Sequence, residues 1–170
     1  MPRTLGQGLA FLLGFAAALW LGPARVETQP LDDPEALQLE LLLLEQVNGI
    51  RAERHLLDLT RLPELDAVAR AHSSDMAQRG YVAHDSPEGM NAIDRLARRG
   101  VEGFSLAAEN IGTTNRPTPA SEIVTAWLRS PIHRTNLLAP AFNATGIGVA
   151  RAPDGSWIVT QLYATYPREQ

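Results

Sequence analysis

Apolar residues recur at steps of three and four along the first part of the chain, which is the spacing of one face of an α-helix. The first such segment begins at Asp33-Pro34-Glu35, because Asp suits a helix cap and Pro suits the first helical position. It extends to about Arg54. The periodicity predicts a buried face made of Leu37, Leu41, Leu44, Val47 and either Ile50 or Arg51.

A second helix is predicted from about Pro63 to Arg79, where Gly80 is a natural C-terminal stop. Its narrow buried face consists of Leu65, Ala69, His72 or Ser73, and Met76. Shorter helices are predicted at about residues 91–99, 119–128 and 130–138. At the start of the last of these, the Ser130 hydroxyl is expected to cap the helix and Pro131 to occupy its first position.

After residue 138 the pattern changes to the two-residue alternation of β-strands. Segments 146–150 and 156–164 alternate in this way, and Pro153-Asp-Gly155 forms a turn between them. Two strands joined through Asp-Gly form a β-hairpin. Because the helices come first and the strands last, the order predicts an α+β fold rather than repeated βαβ units.

The first 24 residues have the composition of a secretory signal peptide. Arg3 is positively charged, residues 9–21 form an apolar run of 13 residues, and Gly22 and Ala24 are the small residues of a cleavage site. We expect cleavage after Ala24, followed by a polar linker over residues 25–34. The alternative is an uncleaved membrane anchor, although a span needs about 20 apolar residues.

Composition excludes several kinds of chemistry. The chain has no cysteine, so it forms no disulfide and has no thiol nucleophile. Its 15 basic residues face 19 acidic ones, for a net charge of −4, and no basic cluster exceeds Arg98-Arg99. A nucleic-acid groove needs a concentrated basic face, so we expect no nucleic-acid partner. The His-Glu-x-x-His helix of zinc proteases and the Gly-x-Ser-x-Gly elbow are both missing from the sequence.

Five polar or glycine-bearing motifs occur in a fixed order between residues 84 and 161, and the resemblance that they carry covers about residues 40 to 164. They are His84-Asp-Ser-Pro87, Glu109-Asn-Ile-Gly112, Trp127-Leu-Arg-Ser-Pro-Ile-His-Arg-Thr-Asn136, Gly146-Ile-Gly-Val149 and Trp157-Ile-Val-Thr-Gln161. Together they resemble the CAP superfamily (cysteine-rich secretory proteins, antigen 5 and pathogenesis-related 1), specifically its short bacterial SCP-like branch.

The resemblance implies a three-layer α-β-α sandwich with a small, mostly antiparallel sheet between helices. The domain would cover residues 35–166. It also implies two short strands that periodicity alone does not reveal, one around Val82 and one over Ala107 to Asn110.

In the larger family a cleft is lined by two His and two Glu. His84 and Glu109 match the first His and the first Glu. The position of the second Glu is Ser130 and that of the second His is Ile158, so half of the family set is missing. His133 lies three residues beyond Ser130, and residues at this spacing share a helix face, so His133 is a possible replacement.

Three interpretations of His84, Glu109 and His133 remain open. Two imidazoles and a carboxylate suit a zinc site with an open position, with His84 and His133 as the imidazole ligands. In a structural network, Glu109 would hold loop N–H groups or an arginine such as Arg134, and His84 and His133 would be hydrogen-bonded partners in the same polar core network. The third interpretation is a metal-free ligand or acid–base site. We expect no cofactor beyond a weakly bound divalent ion such as Zn²⁺.

Other polar residues are expected to support the structure. Asn48 and Arg51 should satisfy the backbone of a neighbouring loop, and Asn136 and Gln161 should brace loops. His72 either packs in the interior or faces the cleft. Ser86 and Ser130 each precede a proline, which is typical of turn or cap oxygens bound by backbone donors, so Ser–His–Glu hydrolysis is not expected.

The sequence thus predicts a secreted or cell-envelope, single-domain, monomeric protein. Its expected role is non-enzymatic binding of a small-molecule, lipid or protein ligand at a polar His/Glu cleft. The alternatives are a weak metal-dependent hydrolase using His84, Glu109 and His133, and a structural protein of the cell envelope.

Overall fold

The computed structural model describes residues 33–167. The predicted signal peptide and residues 25–32 of the predicted linker lie outside them. The described helices are α1 Pro34–Ala52, α2 Pro63–Arg79, α3 Ala92–Arg98, α4 Pro119–Arg129 and α5 Pro131–Leu138. The described strands are β1 Thr60–Arg61, β2 Leu106–Thr114, β3 Ala144–Arg151 and β4 Trp157–Thr165.

The four strands form one sheet in the order β1-β3-β4-β2. β3 and β4 are the predicted hairpin. β2 pairs antiparallel with β4 along its whole length and is the last strand in the order, so it forms one edge of the sheet. Only the two-residue β1, at the other edge, runs parallel to its neighbour β3. The sheet is mostly antiparallel, as the resemblance implied.

Helices cover both faces of this sheet. On one face, α1, α4 and α5 pack on a core that includes Trp127, Ile147 and Tyr163. On the other face, α2 and α3 pack on smaller clusters around Leu65, Leu96 and Leu162 and around Met76 and Ile158. Both faces of β3 and β4 are therefore buried, and the fold is the predicted α+β sandwich with three layers.

Helix α2 approaches the sheet more closely than a side chain would allow. A Cβ on Gly148 would lie 2.0 Å from the backbone N of Arg70, and a Cβ on Gly146 would lie 2.2 Å from the carbonyl carbon of Leu65. The glycines of β3 thus let the helix backbone rest directly on the strand. This packing fixes the position of α2, and with it the wall of the candidate site.

The strand expected around Val82 does not form. Residues 81–83 have no strand structure, and Val82 is 51% exposed. The sheet is instead extended by β1, at the far edge. A parallel strand of two residues has no detectable alternation, and this is why periodicity did not indicate it.

The predicted buried face of α1 is right at Val47 and Arg51 but wrong at Leu41. The helix buries Ala36, Leu39, Leu43 and Val47, whereas Leu41 is 52% exposed. Leucines occupy four consecutive positions from residue 41, so apolar side chains point to every side of the helix and the pattern does not select one face. The helix cap is as expected, because the Asp33 side chain accepts a hydrogen bond from Glu35 N. Pro34 was included in the predicted linker, but it is the first residue of the helix.

Asn48 and Arg51 hold the loops next to α1, as predicted. Arg51 is fully buried and donates to the carbonyls of Leu57, Leu137, Ala139 and Phe142. The Asn48 amide donates to Leu59 O and accepts from Leu59 N. A buried guanidinium with this many acceptors is satisfied by the backbone alone.

Candidate functional site

Glu109 lies in the middle of edge strand β2, with its side chain toward the α2 and α3 layer. Its side chain is only 4% exposed. One carboxylate oxygen, Oε2, accepts from Arg95 Nη2 at 2.5 Å, and the other, Oε1, lies 2.9 Å from His84 Nδ1. Both oxygens are therefore engaged. The expectation of an arginine partner was right, but the partner is Arg95 rather than Arg134, which is exposed on α5.

Arg95 connects Glu109 to the loop that carries His84. Its Nη1 donates to His84 O at 2.8 Å and to Met90 O at 2.9 Å. The side chain is 9% exposed, and within residues 33–167 its Nε has no hydrogen-bond partner. Helix α3 presents Arg95 from its second turn and begins with a capping box formed by Asn91 and Asp94. One guanidinium thus neutralises the buried carboxylate and fastens both ends of the loop.

His84 is the exposed member of this network, at 54% of its side-chain surface. Because a carboxylate only accepts, the Nδ1 that faces Glu109 carries the proton, and Nε2 is the other ring nitrogen. The hydrogen bond to Glu109 raises the pKa of His84, and partial burial opposes that rise. The protonated imidazole is therefore favoured beside Glu109.

His133 lies in the first turn of α5, on the other side of strand β2. Among the described residues its imidazole has no hydrogen-bond partner, so its expected role as a bonded member of a network with Glu109 is wrong. Burial lowers the pKa of His133, and the positive charge of His84 lowers it further. The backbone carbonyl of His133 accepts from the Asn110 amide at 3.0 Å.

The two positions that depart from the family pattern have no acid or imidazole function. Ser130 joins α4 to α5, and its side chain makes no capping hydrogen bond, contrary to the sequence prediction. The start of α5 is set instead by Pro131, which fits the first helical position. Ile158 is buried in the apolar cluster with Met76 and Ile111.

The residues present do not form a three-ligand metal site. No group of three or more His, Cys, Asp or Glu side chains in residues 33–167 is placed to hold a metal ion. A catalytic zinc needs three protein ligands, and both oxygens of Glu109 are already bound by Arg95 and His84. Weak zinc binding by His84 and His133 alone stays a prediction, and we derive no chemical step through a metal.

Ser86 serves the backbone of its own loop, as predicted. Its hydroxyl oxygen accepts from the backbone N–H groups of Glu88 and Met90, at 3.3 Å each. Gly89 completes this turn with a φ of 81°. The oxygen is thus part of a turn rather than an activated nucleophile.

A second network of polar side chains lies on the opposite face of β2 and joins this strand to α5 and β4. Asn110 is fully buried, accepts from the Asn136 amide and donates to the Tyr163 hydroxyl, which donates to Gln161. Asn136 also donates to Glu109 O. Asn136 and Gln161 were both expected to brace loops, but the first joins α5 to strand β2, and the second joins β4 to β3 through Thr145.

His72 packs in the interior, the first of its two predicted roles. It is buried on α2, and its Nε2 lies 3.0 Å from Ala83 O. Burial, followed by the charge of Arg95, lowers the pKa of His72.

Arg95 is the main site residue that the sequence did not reveal. Arg95 lies in a short helix, close to Arg98 and Arg99, and the sequence pattern does not distinguish a buried, hydrogen-bonded arginine from an exposed one.

Known proteins share this fold and these motifs. The model of the cysteine-rich secretory protein family, CAP, matches residues 44–163. The uncharacterized protein YkwD of Bacillus subtilis (strain 168) is 35% identical over 109 residues, which are 64% of this chain and 41% of that protein.

Solved structures agree with this match. An extracellular protein containing an SCP domain from Bacillus anthracis str. Ames is 32% identical, with a TM-score of 0.66 over 76% of this chain and 41% of that one. An outer surface protein from Borrelia burgdorferi has the same fold, with a TM-score of 0.69 at 19% identity over 76% of this chain and 94% of that one. The chain thus spans less than half the length of its Bacillus relatives. With the family model matched over most of its length, this chain belongs to the CAP, or cysteine-rich secretory protein, family.

Proposed function

We propose that the protein is an extracellular or cell-envelope binding module without enzymatic activity. The names of two structural relatives, an extracellular protein and an outer surface protein, support a location outside the cytoplasm. So does the signal-like composition of residues 1–24. Within the part of the chain that the structure describes, every helix falls short of the length and apolar character that a membrane crossing requires.

The observation that carries the proposal is the double engagement of Glu109. Each oxygen of the buried carboxylate already accepts one hydrogen bond, from Arg95 or from His84, so its charge is compensated without a metal or a substrate. A buried carboxylate shared in this way holds a loop in place. The geometry therefore favours binding over the alternative of a metal-dependent hydrolase.

The ligand would meet the two imidazoles at the edge of β2. His84 is half-exposed and held in one orientation by Glu109, whereas His133 is partly buried in the first turn of α5, with its ring nitrogens free of hydrogen bonds to the described residues. An imidazole offers both a flat apolar surface and a donor or acceptor nitrogen. Such a pair suits a small molecule, a lipid headgroup or a protein side chain, bound by a monomer. With a net charge of −4, nucleic acid is not the proposed partner.

The imidazole resonances of His84 and His133 test this proposal by NMR. A fragment screen containing lipid headgroups and small polar molecules should produce saturable shifts of both rings. The shifts should disappear in the doubly substituted His84→Ala, His133→Ala protein, while His55→Ala, outside the cleft, should behave as the parent. In parallel, ester and peptide substrates should be hydrolysed no faster by the parent than by His84→Ala. Hydrolysis lost on both His84→Ala and Glu109→Gln would refute the proposal.

A further inference from the structure

A pocket of about 350 Å³ opens between α2, the loop over residues 86–90 and α3. It shares Arg95 with the cleft described above, but none of His84, Glu109 and His133 lines it. Pockets of this volume accommodate small-molecule ligands. Its lining residues are Val68, Ala71, His72, Asp75, Arg79, Ser86, Glu88, Met90, Arg95, Arg98 and Arg99.

The charged residues of the lining leave an excess of positive charge, because four arginines face two acids. Arg79 binds both acids of the lining, Glu88 at 2.5 Å and Asp75 at 3.4 Å. Asp75 also accepts from the Tyr81 hydroxyl. Both lining acids are therefore neutralised by a partner that lies in or next to the pocket.

Arg98 and Arg99 have no such compensation. Within residues 33–167 neither guanidinium makes an ion pair or a side-chain hydrogen bond. Exposed arginines at the end of a short helix are ordinary, because water solvates them and they complement the helix dipole. They do not by themselves make a site.

A second observation that favours an anionic ligand in this pocket is the buried Arg95. Its two terminal nitrogens are bound to His84 O, Met90 O and Glu109, but its Nε is buried without any partner among the described residues. Buried polar groups almost always have a hydrogen-bond partner, so an unpartnered one calls for an acceptor. Arg95 also lines the pocket, so a ligand held there would lie next to this guanidinium.

Part of the pocket lining is apolar. Val68 and Ala71 of α2, together with Met90 of the loop, supply aliphatic and thioether surface. The Ser86 turn and the Arg95 hydrogen bonds fix the loop that carries Met90, whereas the side chains of Arg98 and Arg99 are exposed. A preformed pocket of this kind selects a ligand that is charged at one end and apolar at the other.

We propose that this pocket binds a small organic oxyanion, with a carboxylate-type group at Arg95, Arg98 and Arg99 and an apolar body against Val68, Ala71 and Met90. Arginine suits this role because its planar fork of N–H donors matches the two oxygens of a carboxylate. The site is distinct from the cleft, and the proposal does not depend on what the cleft binds.

Benzoate is the probe, and the Arg95 Nε–H resonance is the readout. We expect a saturable NMR shift of this resonance on titration of the protein with benzoate. Benzyl alcohol, which has the same apolar body without the charge, should produce a much smaller shift. Inorganic phosphate, an oxyanion without an apolar body, should bind more weakly than benzoate. Equal binding of benzyl alcohol, or phosphate binding as tight as benzoate, would refute the proposed ligand class.

A matched pair of variants locates the anion. Arg98→Gln and Arg129→Gln each remove an exposed arginine from the last turn of a helix, but only Arg98 lines the pocket. Arg98→Gln should weaken benzoate binding about tenfold, whereas Arg129→Gln should leave it unchanged. Equal effects of the two substitutions, or no saturable shift in the parent, would overturn the proposal. Shifts confined to His84 and His133 would place the ligand in the cleft instead.

Discussion

Glu109 places a negative charge where a lone carboxylate would be costly, because its side chain is almost fully buried. Arg95 and His84 compensate that charge, and the same contacts fix the loop between them. A buried ion pair contributes little net stability, but removal of one partner leaves the other charge uncompensated. The network therefore acts mainly by specifying one arrangement of the loop.

Glu109→Ala tests this role directly. It leaves the Arg95 guanidinium buried without its counter-charge, so the free energy of unfolding should fall by about 3 kcal/mol. Glu109→Gln keeps an oxygen acceptor for Arg95 and should cost less. The exposed pair of Glu122 and Arg116 provides a control, because Glu122→Ala should change stability by about 0.5 kcal/mol or less. Thermal and denaturant melts measure all three. A Glu109→Ala protein as stable as the parent would contradict the network.

The pH dependence of stability should report the His84 contact. The pKa of His84 is raised above 6.5 in the folded protein, so protonation favours the folded state. The stability from this contact is fully present below the unfolded pKa and is lost as pH rises through the raised value. His84→Gln should therefore be most destabilising below about pH 6 and lose its effect at higher pH.

His72 and His133 have lowered pKa values and act in the opposite direction, since they favour the folded state only when neutral. The difference between the parent and His84→Gln at each pH removes the contribution of His72 and that of His133 apart from the effect of the His84 charge on it. Denaturant melts across the neutral range provide that difference. A penalty that grew with pH would show that His84 is not protonated against Glu109.

At the scale of elements, the position of α2 depends on two glycines of β3. The backbone of α2 occupies the space where a side chain at Gly148 would lie, so backbone atoms would have to move. Because α2 forms one wall of the pocket and packs next to the His84 loop, the site depends on this close approach.

Two glycine-to-alanine substitutions separate close packing from helix propensity. Gly148→Ala should lower the free energy of unfolding by about 3 kcal/mol or prevent folding, because the new Cβ would lie 2.0 Å from Arg70 N. Gly49→Ala lies in helix α1 with nothing within 4 Å of the new Cβ, and should stabilise by about 0.8 kcal/mol. Circular dichroism melts of both variants suffice. Equal effects would mean that α2 does not rest on the strand backbone.

The elements also show where sequence reasoning succeeds. The buried face of α2 and the β3–β4 hairpin follow from periodicity, because their apolar residues occupy one face or alternate. The face of α1 does not, since its leucines surround the helix. The short parallel strand β1 and the Arg95 contact arise from tertiary packing between segments distant in sequence, and no local pattern encodes either.

At the scale of the whole molecule, the layered fold and its family were accessible from five ordered motifs, whereas the interactions inside the site were not. His84 and Glu109 were predicted together on the resemblance, and the structure places them in contact. The choice between a metal centre and a supporting network depended on which side chains occupy the carboxylate oxygens. The side chains that reach Glu109 are set by how α3 packs against β2 in the folded protein, which the sequence does not show.

Export is the other property of the whole chain that can be measured. The apolar run over residues 9–21 suits a signal sequence, so exported protein should begin near Arg25. Intact-mass spectrometry of material from the culture medium gives the N-terminus. Recovery of chains that retain residues 1–24 in the membrane fraction would establish the anchor instead.

Zinc calorimetry tests most directly the claim that the His84, Glu109 and Arg95 network is a support rather than a metal centre. The protein titrated with Zn²⁺ should show no strong stoichiometric binding, and any weak heat should vanish in His84→Ala. A His55→Ala control should match the parent. Tight one-to-one binding that is lost on Glu109→Gln would contradict the account, because it would require Glu109 to leave Arg95 and ligate the metal.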